Sequence, residues 1–243
     1  MIVTDFSIIL KGRGMNSYRL ALFTLTEYIR STGLYFEALI AFMVVFFLEY
    51  MYWLRTPEEV YMWLGIFAAA SGFFTTLRLA ARDAGPRIYE IITKNITRKR
   101  YLTGKILAAF ILDGIFLLAL FVPCYFLTTT GKVYSFAEAS FRLIPIFLIL
   151  LMTSVITAFF SKLVTGGQNA VAACVTLLLF SLTQPDGAFN YITPPVRFLI
   201  KMATGPFGSS EAYYIALAVF NTALFYAAAV TYFKKRELNY DTQ

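Results

Sequence analysis

A chain of 243 residues that is 59% hydrophobic, with a mean hydropathy of +0.67 and only 14% charged residues, is far more apolar than a soluble domain. It belongs in a bilayer, where a helical span needs about 20 apolar residues, so the length allows roughly six spans with short loops and no large soluble domain. The absence of histidine removes the commonest metal ligand and general base, while the net charge of +7 raises nucleic acid as a partner until the charges are placed along the chain.

The first residues carry Asp5, Lys11 and Arg13 around a short apolar run at 6–10 without an A-x-A cleavage pattern, so no signal peptide is expected. Asn16 and Ser17 can cap a helix in which Tyr18, Leu22, Leu25 and Ile29 form an apolar stripe, with Arg19, Thr26, Glu27 and Arg30 away from it. This pattern predicts an interfacial helix within an N-terminal cytoplasmic segment, 1–33. Leu20 and Phe23 lie off the stripe and leave a plain extension of the first span open, whereas Gly33 favours a break.

A six-helix transmembrane domain, 34–233, follows. Its first two spans, 34–54 and 60–80, are joined by a tight hairpin at 55–59. In the second, Gly65, Ala68, Ala69 and Gly72 make a small-residue face suited to close helix packing. Tyr50, Tyr52, Trp53, Tyr61 and Trp63 fall where an outer aromatic belt belongs.

Residues 84–105 are the only long polar, basic passage between two apolar runs in mid-chain. Gly85 and Pro86 break the preceding helix, and a proline at the first helical position loses no hydrogen bond. Ile88, Ile91 and Ile92 then share one face while Arg87, Glu90 and Lys94 point elsewhere, which predicts a short amphipathic helix. Asn95 and Thr97 can end it and cap the next helix, with Arg98 to Lys105 leading into the third span. Periodicity and charge alone fit two readings, a solvated cytoplasmic loop and a helix whose apolar face meets a protein.

The third span covers about 102–127. A short loop with Gly131 and Lys132 leads to a fourth at 141–160, with Pro145 tolerated in its first turn. Gly166 and Gly167 make the next turn, and the fifth span covers 169–182. Between 184 and 210, Pro185, Pro194, Pro195 and Pro206 exclude a continuous helix, while Val196, Phe198, Leu199 and Met202 exclude a freely solvated loop. The segment reads either as a short re-entrant helix or as a loop packed on the helix ends. A sixth span covers 211–233 and a basic tail 234–243.

Lys and Arg settle the orientation. Of the 21, 16 fall in the N-terminal segment, 78–105, 161–168 and the tail, against 5 in the alternate loops. Both termini are therefore expected in the cytoplasm, and the positive charge is a topology signal rather than a nucleic-acid footprint. Cys124 and Cys174 lie in apolar runs and imply no disulfide. With no G-x-x-x-x-G-K-S/T, no Ser/His pair and no carboxylate cluster, neither an enzyme nor a metal site is expected. Asp113 falls about 10 residues into the third span, roughly 15 Å deep, and Glu49 in the outer half of the first. Each fits either a polar patch on a transport path or an acid held between helices by hydrogen bonds.

Asp83, Gly85, Tyr89 to Ile92, Thr97, Arg98, Arg100, Gly104 and Lys105 follow one order: acid, glycine, amphipathic turn, Ser/Thr with basic residues, then Gly-Lys leading into an apolar helix. This resembles the loop between the second and third spans of ABC-2 type permeases, the membrane subunits of one class of ATP-driven exporters. Lys94 and Asn95 stand where that family usually has a small residue and a proline. Gly205, Pro206 and Phe207 resemble its external small-Pro-Phe turn, and Lys234, Lys235, Arg236, Glu237 and Leu238 its basic tail.

The resemblance implies an all-α integral membrane protein of the plasma or inner membrane. It would have an N-terminal interfacial helix, six spans, a cytoplasmic coupling helix between spans 2 and 3, and a broken re-entrant segment before span 6. It further implies pairing with a second permease copy or paralogue and with separate ABC ATPase subunits, where ATP and Mg bind; this chain would hold no cofactor. The ATPase-facing residues would be Arg87, Ile88, Tyr89, Glu90, Ile91, Ile92, Arg98 and Arg100, and the substrate would pass between the first and fifth spans. The alternatives are an ion-coupled transporter using Asp113 and Glu49, and a non-transporting membrane assembly factor.

Overall fold

The structure is a computed structural model that describes residues 16–29, 56–82, 96–165, 168–183, 193–205 and 209–235. All regular structure among them is helical: α1 Ser17–Ile29, α2 Pro57–Arg82, α3 Arg98–Leu127, α4 Thr130–Val133, α5 Phe136–Phe141, α6 Ile144–Phe160, α7 Gln168–Thr183, α8 Val196–Thr204 and α9 Ser209–Lys235. The predicted span at 34–54, the predicted coupling helix at 86–93, the Pro206–Phe207 part of the external turn and most of the tail lie outside the described residues.

Four helices are long and apolar enough to cross a membrane: Pro57–Ala81, Arg98–Leu127, Phe136–Phe160 and Ala212–Lys235. The described part of the expected fifth span, α7, has 16 residues and is about 24 Å long. Of the six expected spans, the five that fall among the described residues comprise these four and the shorter apolar stretch of α7. The fourth has an interruption. Ser135 caps α5 by accepting from Glu138 N, and the chain turns through Arg142 and Leu143 before α6 begins with Pro145 in its first turn.

The sequence of α6, IPIFLILLMTSVITAFF, is apolar on every side, and a helix of that kind is stable only when surrounded. Eleven of its 17 residues are buried, and it packs against α2, α3, α7, α8 and α9. Helices α2 and α6 run parallel: the Tyr61 hydroxyl donates to the Ala139 carbonyl at 3.0 Å, while Gly72 lies against Leu150 and Ser154. Helix α3 runs against both, with Phe110 on Phe147 and Ile106 clustered with Val155. At the periphery, only 17% of the apolar window of α9 is buried, and Val219, Phe220, Leu224 and Tyr232 face outward.

The small-residue face of α2 serves two neighbours. A Cβ at Gly65 would meet Ile200 Cγ1 of α8 at 2.5 Å. A Cβ at Gly72 would collide with the Thr153 hydroxyl and lie 3.1 Å from the Leu150 carbonyl. One expectation changes. Tyr61 is fully buried rather than part of a lipid-facing aromatic belt, because its hydroxyl finds a carbonyl inside the bundle. In α1, Leu20, Ala21, Thr24 and Tyr28 are buried, mainly against α3, and the predicted stripe residues Tyr18, Leu22 and Ile29 face outward from the protein.

Gly72→Ala is expected to destabilise the protein by about 1–3 kcal/mol through overpacking. Adding Thr153→Ala should recover part of that loss, because the obstructing hydroxyl is then gone. Thermal unfolding in detergent, comparing the single and double variants, checks both.

Candidate functional site

Two kinds of polar group are built into this apolar bundle. The first is a carboxylate at mid-depth. Asp113 is 1% exposed, and its Oδ1 accepts a hydrogen bond from Thr75 Oγ1 of α2 at 2.8 Å. Inserting an acid there costs about 3 kcal/mol on insertion scales, so a hydroxyl donor on the facing helix is the compensation expected in hydrocarbon. Around this pair the α2 and α6 faces are also polar, with Thr76, Thr153, Ser154 and Thr157 all buried. Most hydroxyls in the helices return their proton to the carbonyl one turn back, as Thr153 does to Ile149 at 2.9 Å. Thr76 and Ser154 do not, and both hydroxyls are buried without a hydrogen-bond partner among the described residues. Thr157 instead faces α7, with its Oγ1 3.8 Å from Cys174 Sγ.

The second kind is a set of three arginines that clasp the C-terminal carbonyls of other helices. Helix ends leave carbonyls without intrahelical partners, and a buried end needs donors from elsewhere. Arg98, at the start of α3, donates through Nη1 to Phe233 O at 3.0 Å and Lys234 O at 2.9 Å, closing the end of α9. Its neighbour Thr97 caps α3 by accepting from Arg100 N at 3.3 Å. At the opposite end of the bundle Arg142 donates to Ala203 O at 3.2 Å and Gly205 O at 2.9 Å, closing α8. Its guanidinium lies 4.2 Å from the centre of the Tyr134 ring and 3.5 Å from the Glu138 carboxylate. Arg197 of α8 in turn donates to Thr183 O, the last residue of α7, at 3.1 Å.

These positions place the sequence candidates unevenly. Arg98 is built into the α3–α9 junction, whereas Arg100 is exposed. Asp113 pairs with α2. Arg87, Ile88, Tyr89, Glu90, Ile91, Ile92 and Glu49 lie outside the described residues. Sequence reading missed Arg142 and Arg197. The signal was their side of the membrane: both belong to the 5 Lys and Arg that fall in the sparsely charged loops. Among the described residues no three His, Cys, Asp or Glu side chains stand together as metal ligands do.

The fold and this polar architecture define the chain as an all-helical candidate multi-pass membrane protein. It matches no protein-family model and no curated protein.

Arg142→Met keeps the bulk but removes every donor, leaving the α8 carbonyls uncapped. Stability should fall by about 2–3 kcal/mol, since each lost bond is charge-assisted. Hydrogen exchange should accelerate in α8 while the C-terminal half of α9 is unchanged. Thr75→Val, nearly isosteric, removes the donor to Asp113; it should cost on the order of 1 kcal/mol, read by thermal unfolding.

Proposed function

We propose that this chain is the permease subunit of an ABC-2 type exporter. It would pair with a second permease and two separate ATPase subunits to move a substrate out of the cytoplasm. The observation that carries the reading is the 84–105 stretch: a basic segment with the apolar face Ile88, Ile91 and Ile92, placed between two membrane helices on the Lys/Arg-rich side. An apolar face in a cytoplasmic loop requires a protein partner, and an ATPase subunit supplies one.

The packing of the flanking helices supports the same reading. The stretch connects α2 to α3, and these are tied at mid-depth by Thr75 and Asp113. Force applied to it would move them as one body, and through Arg98 would reach the end of α9. A rigid pair of this kind is what transmission of an ATP-driven movement requires. The capped α8 on the far side supplies an interrupted helix of the sort that lines a transport path.

The buried Asp113–Thr75 pair favours a second reading, an ion-coupled transporter in which Asp113 gains and loses a proton or a sodium ion. The two separate cleanly. Under the first, the chain expressed with its chromosomal neighbours co-purifies with an ATPase, and Ile88→Asp with Ile91→Asp reduces recovery of that ATPase at least tenfold while the membrane subunit still folds. Transport driven by an ion gradient in liposomes holding this chain alone would overturn it in favour of the second.

A further inference from the structure

Helix α8 is nine residues, VRFLIKMAT, and strongly two-sided. Val196, Leu199, Met202 and Ala203 are buried against the bundle, while Arg197 and Lys201, four residues apart and therefore on one face, are exposed. These are the only Lys or Arg between 184 and 210, and α8 contains no Asp or Glu. Two like charges at this spacing repel each other mildly within a helix, so the pair favours a shared anion. The Lys201 ammonium makes no hydrogen bond or ion pair among the described residues.

Depth decides what that anion is. Pro57–Ala81 of α2 is long and apolar enough to cross a membrane, and Ile200 packs on Gly65, eight residues and so about 12 Å along it from Pro57. Helix α8 therefore lies beside this span in the leaflet where α2 begins. A cation leaving a helix at that depth must bend its stem up to the headgroups, which is how membrane-embedded lysines escape the apolar core. The first anion it meets there is a lipid phosphate.

The platform is also rigid. Phe198 stacks on Tyr214 of α9 at 4.1 Å with the rings 9° from parallel, Arg142 closes the helix end, and Arg197 is held to the end of α7. A helix held in this way fixes the positions from which the two cations leave it, which lowers the ordering cost of binding an anion. We propose that the outward face of α8 is a binding site for an anionic glycerophospholipid of that leaflet, with Lys201 contacting the phosphate and Arg197 adding the second charge.

The test titrates the full chain, purified in dodecyl maltoside, with phosphatidylglycerol, phosphatidylcholine or inorganic phosphate while following thermal unfolding. Phosphatidylglycerol should raise the unfolding temperature by several degrees more than phosphatidylcholine. Lys201→Gln, which removes no contact within the protein, should lose at least half of that difference, whereas Lys235→Gln at the far end of α9 should keep it. The proposal is overturned if phosphatidylglycerol gives no extra shift, if Lys201→Gln retains it in full, or if inorganic phosphate reproduces it.

Discussion

The distance between α2 and α6 is set by a missing side chain. At Gly72 the two helices approach until the Thr153 hydroxyl and the Leu150 carbonyl occupy the space a Cβ would take. Between membrane helices there is no hydrophobic driving force, because lipid is as apolar as leucine, and close van der Waals packing has to replace it. The rest of the bundle is arranged around this contact. Helix α6 is enclosed because α2 comes so near, α3 closes the third side, and α8 uses the second small position, Gly65, to lie against α2 from outside.

Close packing alone does not satisfy polar groups, and in hydrocarbon each unpaired one costs several kcal/mol. The bundle meets this in two ways. Most hydroxyls bond back to their own helix, which keeps them compatible with either lipid or protein neighbours. The exposed-backbone problem at helix ends falls to arginine, whose Nη1 alone reaches two carbonyls at once at both Arg98 and Arg142. Arg98 and Arg142 perform the same operation at opposite ends of the bundle, one for α9 and one for α8. The consequence is that an interrupted helix such as α8 can persist beside the membrane core without continuing as a span.

How much of this was legible in the sequence differs by feature, for physical reasons. Span positions depend on local composition, so α2, α3, α6 and α9 fall close to the predicted runs; α3 starts earlier only because Thr97 caps ahead of three basic residues. The Gly65–Gly72 face was readable as a packing surface because small residues at a spacing of i, i+3 or i+4 have few other uses in a span. Which neighbour each glycine meets was not readable, since that depends on the path of residues far away in sequence. The same holds for Tyr61: aromatic residues near a span end look alike whether they face lipid or a carbonyl. The Arg98 and Arg142 clasps join residues 61 to 136 positions apart, and no local pattern encodes a partner at that range.

The two polar systems differ in what they allow to move. A clasp between a guanidinium and two carbonyls is directional but needs no particular helix rotation, so the helices it joins can shift together as a unit. The Thr75–Asp113 bond is different, because it lies inside the bundle and rotation of α3 against α2 would strand an acid in hydrocarbon. That asymmetry ties α2 to α3 at one fixed rotation. The stretch of chain between them is therefore joined at both ends to a tied pair. A movement of that pair reaches α9 through Arg98, through the 2.7 Å contact between the Thr103 and Tyr226 hydroxyls, and through the Tyr101 ring against Phe233.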